Sequence, residues 1–365
     1  MSRNTNYSVL AETYNTFIEN NKDYDKTCKQ LGLKRCTLNA RIHKYRKQND
    51  INAYEDEANS MGKKKPYQQI KEELSEIIIP SLKHGADEPI EELIDRLTTN
   101  FKRTKLHEDE KRWRQVNVNT DKPIGIAWLG DPHVDDPYCD WVTLRRDLKI
   151  IKNTKGLYGA SLGDHTNNWV GRLSRLYENH TVTKADSWRL VEWLIREMDP
   201  ILLIAGNHDM WSGNSDPVKW MMRKHQIYEK WQTRLELVFP NEKKVKIFAS
   251  HDFPGHSMWN PLHGQMKSAK FLSSAHLYIA GHKHNWALQQ IELPENDTCC
   301  WLARARGYKF YDEHAIRYGF EEQRYGHAIC TIINPQATNE TDLMLCFSNL
   351  EEGAEYLKWK RHKVK

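Results

Sequence analysis

Apolar positions recur at helical spacing near the start of the chain: Leu10, Tyr14, Phe17 and Ile18, then Leu31, then Leu38, Ile42 and Tyr45. That period predicts three short helices over about residues 7 to 48. Asp23 can cap the second, Gly32 suits the tight turn after Leu31, and Leu38, Ile42 and Tyr45 would seat the third against the other two. From about Ala53 to Asn119 the sequence is charge-rich, broken by Lys63-Lys64-Lys65-Pro66, with helical patterning in Tyr67 to Ile79 and Pro89 to Phe101. A helical linker or arm is expected there. From about Lys122 short apolar runs alternate with amphipathic ones. IGIAWL, GLYGASL, PILLIA, KVKIFAS and LYIA read as strands, whereas CDWVTLRRDLKIIKN and KADSWRLVEWLIREM read as helices, so an α/β layered fold follows. The expected organisation is a small all-α domain over 1–50, a charged linker over 51–119, an α/β domain over 120–350 and a basic tail over 351–365.

Composition narrows the class. With 39% hydrophobic and 28% charged residues, the 365-residue chain has the make-up of a soluble globular protein. No run approaches the roughly 18 apolar residues a membrane span needs. Met1 to Leu10 is polar and lacks the apolar core of a secretory signal, so a cytoplasmic protein is expected. The seven cysteines have no framework spacing, and Cys299-Cys300 is not a metal-binding pair of the CxxC kind, so reduced thiols are expected.

The net charge of +5 is modest but uneven. Lys26, Lys29, Lys34, Arg35, Arg41, Lys44, Arg46 and Lys47 cluster with no Asp or Glu among them. TCKQLGLKRCTLNARIHKYRK resembles the helix-turn-helix of DNA-binding proteins, in which the glycine marks the turn and the next helix enters the major groove. That resemblance places Arg35, Thr37, Asn39, Arg41, His43 and Lys44 on or beside the exposed face. The competing reading is a helical protein-interaction bundle with a solvated basic surface.

The chemistry lies where the strands end. IGIAWL runs into Gly130-Asp131-Pro132-His133, and GLYGASL into Gly163-Asp164-His165-Thr166-Asn167. PILLIA runs into Gly206-Asn207-His208-Asp209, KVKIFAS into His251-Asp252, and LYIA into Gly281-His282-Lys283-His284. Five successive strand ends deliver carboxylate, amide or imidazole groups, and open α/β sheets build their sites at such ends. Hard oxygens mixed with imidazoles, and no thiolate, suit Mn, Fe or Zn rather than a Cys-rich structural zinc.

The ordered motifs DxH, GDxxN, GNHD, His and GHxH resemble those of the calcineurin-like metallophosphoesterases, over roughly residues 122 to 335. The resemblance implies a four-layer α/β/β/α sandwich holding two divalent metal ions, Mn foremost, with Fe, Zn or Mg as alternatives. Carried over by position, Asp131, His133 and His284 would hold one metal and Asn207, His251 and His282 the other, with Asp164 between them. His208 would be the acid that protonates the departing oxygen. Two features depart from the pattern or leave it open. Asn167 stands where the family often has an aspartate that orients the acid histidine, and Asp209 is a candidate to compensate. His256 competes with His251 for the fourth motif, although His251 follows its strand immediately.

Thirteen tryptophans are many for this chain, and Trp169, Trp211, Trp259 and Trp286 closely follow the metal motifs. Indoles there could stack exposed bases or simply pack the loops. The expected activity is a phosphodiesterase or nuclease acting on DNA, joined to a DNA-facing accessory region as in the repair-exonuclease branch of that superfamily. The alternatives are a phosphomonoesterase or protein or nucleotide phosphatase with a protein-binding N-terminal module, and a DNA-binding regulator whose metal centre is vestigial.

Overall fold

The computed structural model describes residues 7–49, 88–213, 215–272, 274–294, 298–310 and 324–363. The patterning noted over Tyr67 to Ile79 and the Lys63 to Pro66 break lie outside them. The chain divides into two compact units, Met1–Ile90 and Glu91–Lys365.

In the first unit the three expected helices form: α1 (Tyr7–Glu19), α2 (Tyr24–Leu31) and α3 (Arg35–Gln48). The Asp23 carboxylate accepts the backbone N–H groups of Asp25 and Lys26, and Gly32 ends α2 in the left-handed region at φ 60°. Such an N-cap contributes about 1 kcal/mol. Tyr14, Phe17, Leu38 and Ile42 form the core, with Tyr45 partly buried against it. Ile18 is exposed. It follows Phe17 by one residue, about 100° around the helix, and so leaves the buried stripe.

The second unit opens with α4 (Ile90–Lys111), which buries none of its side chains. β1 (Arg114–Asn117) follows. The stretch expected to be linker to residue 119 thus ends as sheet, because β1 pairs in parallel with β6 (Gln232–Val238) and turns Val116 onto the core. The remaining strands are β2 (Ile124–Leu129), β3 (Leu157–Ser161), β4 (Leu202–Ala205), β5 (Ile227–Lys230), β7 (Lys244–Ser250), β8 (Leu277–Ala280), β9 (Ala287–Leu293), β10 (Thr298–Arg304), β11 (Ala328–Ile333) and β12 (Met344–Phe347). They form two six-stranded sheets, ordered β1-β6-β7-β8-β10-β9 and β12-β11-β2-β3-β4-β5. β2 to β5 are mutually parallel, as are β7, β8 and β10.

Three apolar layers show how the sheets stack. Ile124, Ile126 and Trp128 of β2 meet Leu235, Val245, Ile247 and Ile279 of the other sheet. The alternate residues Ala127 and Leu129 face α5 (Trp141–Asn153) and α6 (Lys184–Met198), which contribute Leu144, Leu148, Val191 and Leu194. Outside the other sheet, Phe248 and Tyr278 pack with Ala269 of the helix His263–Phe271. The order is helix, sheet, sheet, helix, which is the four-layer sandwich expected. A strand buried on both faces reads as a continuous apolar run, as IGIAWL does.

The C-terminal stretch expected to be a basic tail is the helix Leu350–Lys363. Leu350, Ala354 and Leu357, at positions i, i+4 and i+7, are buried in the same layer as α5 and α6. The basic residues Lys358, Lys360, Arg361 and Lys363 all follow this apolar stripe, and the stripe decides the structure. Among the described residues no helix is long and apolar enough to cross a membrane, and all seven cysteines are free.

Candidate metal centre

The ends of β2, β3, β4, β7 and β8 converge, and Asp164 stands where they meet. Two groups of side chains share it: His133, Asp164 and His208, and Asp164, His251 and His282. Within each group the ligand atoms lie within 4.8 Å of one another. His251 Nε2 is 3.2 Å from Asp164 Oδ2, 2.9 Å from Asn207 Oδ1 and 3.0 Å from His282 Nδ1. The His284 ring stacks on that of His133 with centroids 5.1 Å apart. Asp131 accepts the His282 backbone N–H and lies 3.8 Å from His251 Nδ1. All seven side chains singled out as metal ligands are therefore brought together. Of the two candidates for the fourth motif, His251 is in the cluster and His256 is exposed.

Glycines allow this convergence. A Cβ on Gly206 would overlap Asp164 Oδ1, and one on Gly281 would stand 3.0 Å from Asp131 Oδ1. They are needed because the motif loops close upon one another's carboxylates. His133, Asp164, His282 and His284 themselves adopt positive φ values of 39°, 53°, 71° and 48°. Left-handed conformations in residues other than glycine cost on the order of 1–3 kcal/mol each and persist where surrounding structure over-determines them.

Part of that surrounding structure is Asp209. Its carboxylate accepts backbone N–H groups of Gly206 (2.9 Å), Asp164 (2.9 Å) and His165 (3.1 Å), and meets His165 Nδ1 at 2.9 Å. It was a candidate to assist His208, but its oxygens are committed to the backbone and to His165. Arg304 is likewise internal. It is fully buried and donates to the carbonyls of Pro261 and Gly281 and to Asp252.

His208 is held from a direction the sequence did not indicate. Its Nδ1 lies 2.6 Å from the main-chain carbonyl of Asn167, while the Asn167 amide donates to Asp136 Oδ2 at 2.8 Å. The backbone at position 167, and not its side chain, orients the imidazole. Trp169 and Trp211 flank the ring, with centroids 4.9 and 4.1 Å away. The four tryptophans near the motifs thus separate: two line His208, Trp286 packs over Gly326, and Trp259 is almost wholly exposed.

Electrostatics follow from burial and neighbours. Burial pushes the Asp131 carboxyl up to about 8, despite the opposing His251 and with the help of the Asp164 charge. Burial acts on Asp164 in the same sense, yet His251, His208 and His133 around it hold its carboxyl well below the usual range. Burial would lower His251, but Asp164 and Asp131 raise it to about 10. Burial and the neighbouring His208 and His284 keep His133 far below the ordinary imidazole value.

These groups fit divalent cations. Both ring nitrogens of His133 and Oδ1 of Asp131 are buried with no hydrogen-bond partner among the described residues. Orphaned polar atoms in a native interior cost free energy unless something satisfies them. A neutral buried imidazole beside ionised Asp164 is a donor set for a hard or borderline metal.

In the N-terminal unit, Arg35, Thr37, Asn39 and His43 are exposed, whereas Arg41 and Lys44 are half-buried. Arg41 lies 3.4 Å from Thr13 Oγ1 of α1, and Arg35 pairs with Asp25 at 3.1 Å. Two of the six residues expected to face DNA are therefore partly withdrawn.

The fold and the shared carboxylate define an α/β/β/α sandwich with a candidate two-metal centre at its strand ends. The structure is similar to a predicted phosphoesterase from Streptococcus pneumoniae, at 12% identity over 62% of this chain and 98% of that one, TM-score 0.29. It is also similar to the calcineurin-like phosphoesterase YfkN from Bacillus subtilis, at 12% identity over 66% and 97% of the two chains, TM-score 0.32. Vacuolar Protein Sorting 29 from Cryptosporidium parvum matches at 12% identity over 62% of this chain and 100% of its own, TM-score 0.35. No family model and no curated protein matches the sequence.

Proposed function

We propose that the protein is a metal-dependent phosphoesterase of the calcineurin-like kind, with the phosphodiester bonds of DNA as its substrate. The observation that carries the phosphoesterase reading is Asp164, one carboxylate grouped with His133 and His208 on one side and with His251 and His282 on the other. Asp131, His133 and His284 would hold one cation and Asn207, His251 and His282 the other, with Asp164 facing both. Mn best suits this oxygen and imidazole set, with Fe, Zn or Mg as alternatives. Bound there, the pair supplies Lewis acidity and an activated water.

The chain's own residues supply the rest. His208 projects beside the centre, its Nε2 3.8 Å from Asp164 Oδ2, and from there donates a proton to the departing oxygen. Trp169 and Trp211 wall that side of the site and limit water around the proton being transferred. Support for DNA comes from the separate helical unit. Its α3 presents Thr37, Asn39 and His43 on an exposed surface within a basic stretch that contains no acid. Basic residues bind phosphates without regard to sequence, and exposed polar side chains on one helix are the means of reading base edges.

The test is to incubate the protein and an Asp164→Ala blank with Mn, end-labelled single- and double-stranded DNA, and bis-p-nitrophenyl and p-nitrophenyl phosphates. Cleavage of DNA and diester, absent in the blank, is expected. Monoester turnover with DNA intact would overturn the DNA reading and favour a phosphatase. No turnover of any ester would sink the enzyme reading itself.

A further inference from the structure

The loop after β2 carries two acids beyond the metal ligands. Asp135 and Asp136 are 3% and 7% exposed. Asp135 accepts the Thr166 hydroxyl and the Asn167 backbone N–H, each at 2.7 Å. Asp136 accepts the Asn167 side-chain amide at 2.8 Å and the Tyr138 backbone N–H at 2.9 Å, and it pairs with Lys309 Nζ at 3.0 Å. The first motif's loop therefore grips the last residue of the second motif by both its backbone and its side chain. The Asn167 carbonyl, left pointing the other way, meets His208 Nδ1 of the third motif at 2.6 Å.

A carbonyl oxygen can only accept, so Nδ1 carries the hydrogen and Nε2 is the atom left for the site. Which nitrogen is protonated is fixed by this one bond, and the bond is only as well placed as Asn167.

We propose that Asp135 and Asp136 are positioning residues for His208. By clamping Asn167 they aim its carbonyl at Nδ1, and so hold the ring with hydrogen on Nδ1 and Nε2 turned toward Asp164. Nε2 is then the nitrogen that takes up the second proton, and the imidazolium so formed gives that proton to the departing oxygen. The inference rests on the proton-donor role given to His208 above, but its central observable does not depend on turnover. Carboxylates suit the task because charge-assisted hydrogen bonds are shorter and stronger than neutral ones. Burying two carboxylates is costly, and the Thr166, Asn167, Tyr138 and Lys309 donors offset that cost. Neither acid is bonded to His208 itself; the hydrogen bonds described reach it through Asn167.

The experiment uses the full chain with 15N-labelled histidine and zinc present. His208 is assigned by the signal lost in His208→Asn, and its tautomer is read from the ring nitrogen shifts in alkaline buffer. The wild type is expected to show the Nδ1–H form, and Asp136→Ala an averaged or reversed one. Asn167→Ala keeps the carbonyl but loses the grip of Asp136, and serves equally if Asp136→Ala does not fold. In turnover, both variants are expected to lose about 10- to 100-fold in kcat on an ester with a poor leaving group, as supporting residues typically do. KM should hold, and p-nitrophenyl substrates should slow by less than about threefold, since they need no acid. Asp136→Glu should recover part of the loss.

An Nε2–H form in the wild type, or an unchanged Nδ1–H form in both variants, would overturn the proposal. A wild type that hydrolyses no ester at all but shows the expected tautomers would instead remove the phosphoesterase reading and leave the positioning contact standing.

Discussion

The Asp164 backbone N–H donates to Asp209 Oδ2 at 2.9 Å, across 45 residues of sequence. The bond joins the second metal motif to the last residue of the third. Asp209 also takes the N–H groups of Gly206 and His165, so one buried carboxylate holds the backbone that presents Asp164. Asp209→Ala would leave three buried N–H groups unsatisfied, and each such loss costs about 1–3 kcal/mol. Urea unfolding should show a loss of several kcal/mol. A loss below 1 kcal/mol would contradict this role.

Asp164→Ala should lower the bound metal from two equivalents to less than one, because both ligand groups share that side chain. Elemental analysis after dialysis measures it. A variant that retains two equivalents would exclude Asp164 from both groups.

Gly206→Ala tests the close approach of the loops. Its φ of −87° is open to any residue, so the obstacle is the overlap of the new methyl with Asp164 Oδ1, the His251 ring and the Asp164 backbone nitrogen. Overpacking of this kind costs roughly 1–3 kcal/mol. The thermal midpoint should fall and metal affinity should weaken with it. An alanine variant with wild-type midpoint and affinity would mean that the loops have room to spare.

His208→Ala should leave metal content intact and slow esters with poor leaving groups about 10²- to 10⁴-fold, with much smaller effects on p-nitrophenyl esters. Equal slowing of both classes would contradict the acid role.

The metal-free protein should lose stability as pH rises. Its Asp131, raised to about 8, and His251, raised to about 10, both retain protons that the unfolded chain gives up earlier. Stability from each is complete below the unfolded value, about 3.9 for Asp and about 6.5 for His, and is lost as pH rises through the folded value. The midpoint should therefore decline between about pH 7 and 10 without metal and change less with it, since cations would displace those protons. Titration with Mn near pH 7.5 in buffers of different ionisation enthalpy should show net proton release, and proton uptake would contradict these directions.

The five strand-end motifs were legible in the sequence because each is local: an apolar run stops and ligand-type residues follow at once. The sandwich was legible for a similar reason, since strands such as IGIAWL are apolar at every position and the helices between them are amphipathic. The three N-terminal helices were marked by Asp23 and Gly32, whose effects reach only a few residues. Other features depended on partners distant in sequence. β1 is a strand because β6 offers it an edge more than a hundred residues later. The C-terminal helix buries Leu350, Ala354 and Leu357 because α5 and α6 leave a layer to complete. At the site, the candidate ligands were legible in the motifs, but tertiary structure decided the contacts around them. Asp209 serves backbone amides, Arg304 is interior, and Asn167 acts through its carbonyl while Asp136 takes its side chain. A residue's type limits which hydrogen bonds it can make, but which ones it does make depends on what the fold sets within 3 Å.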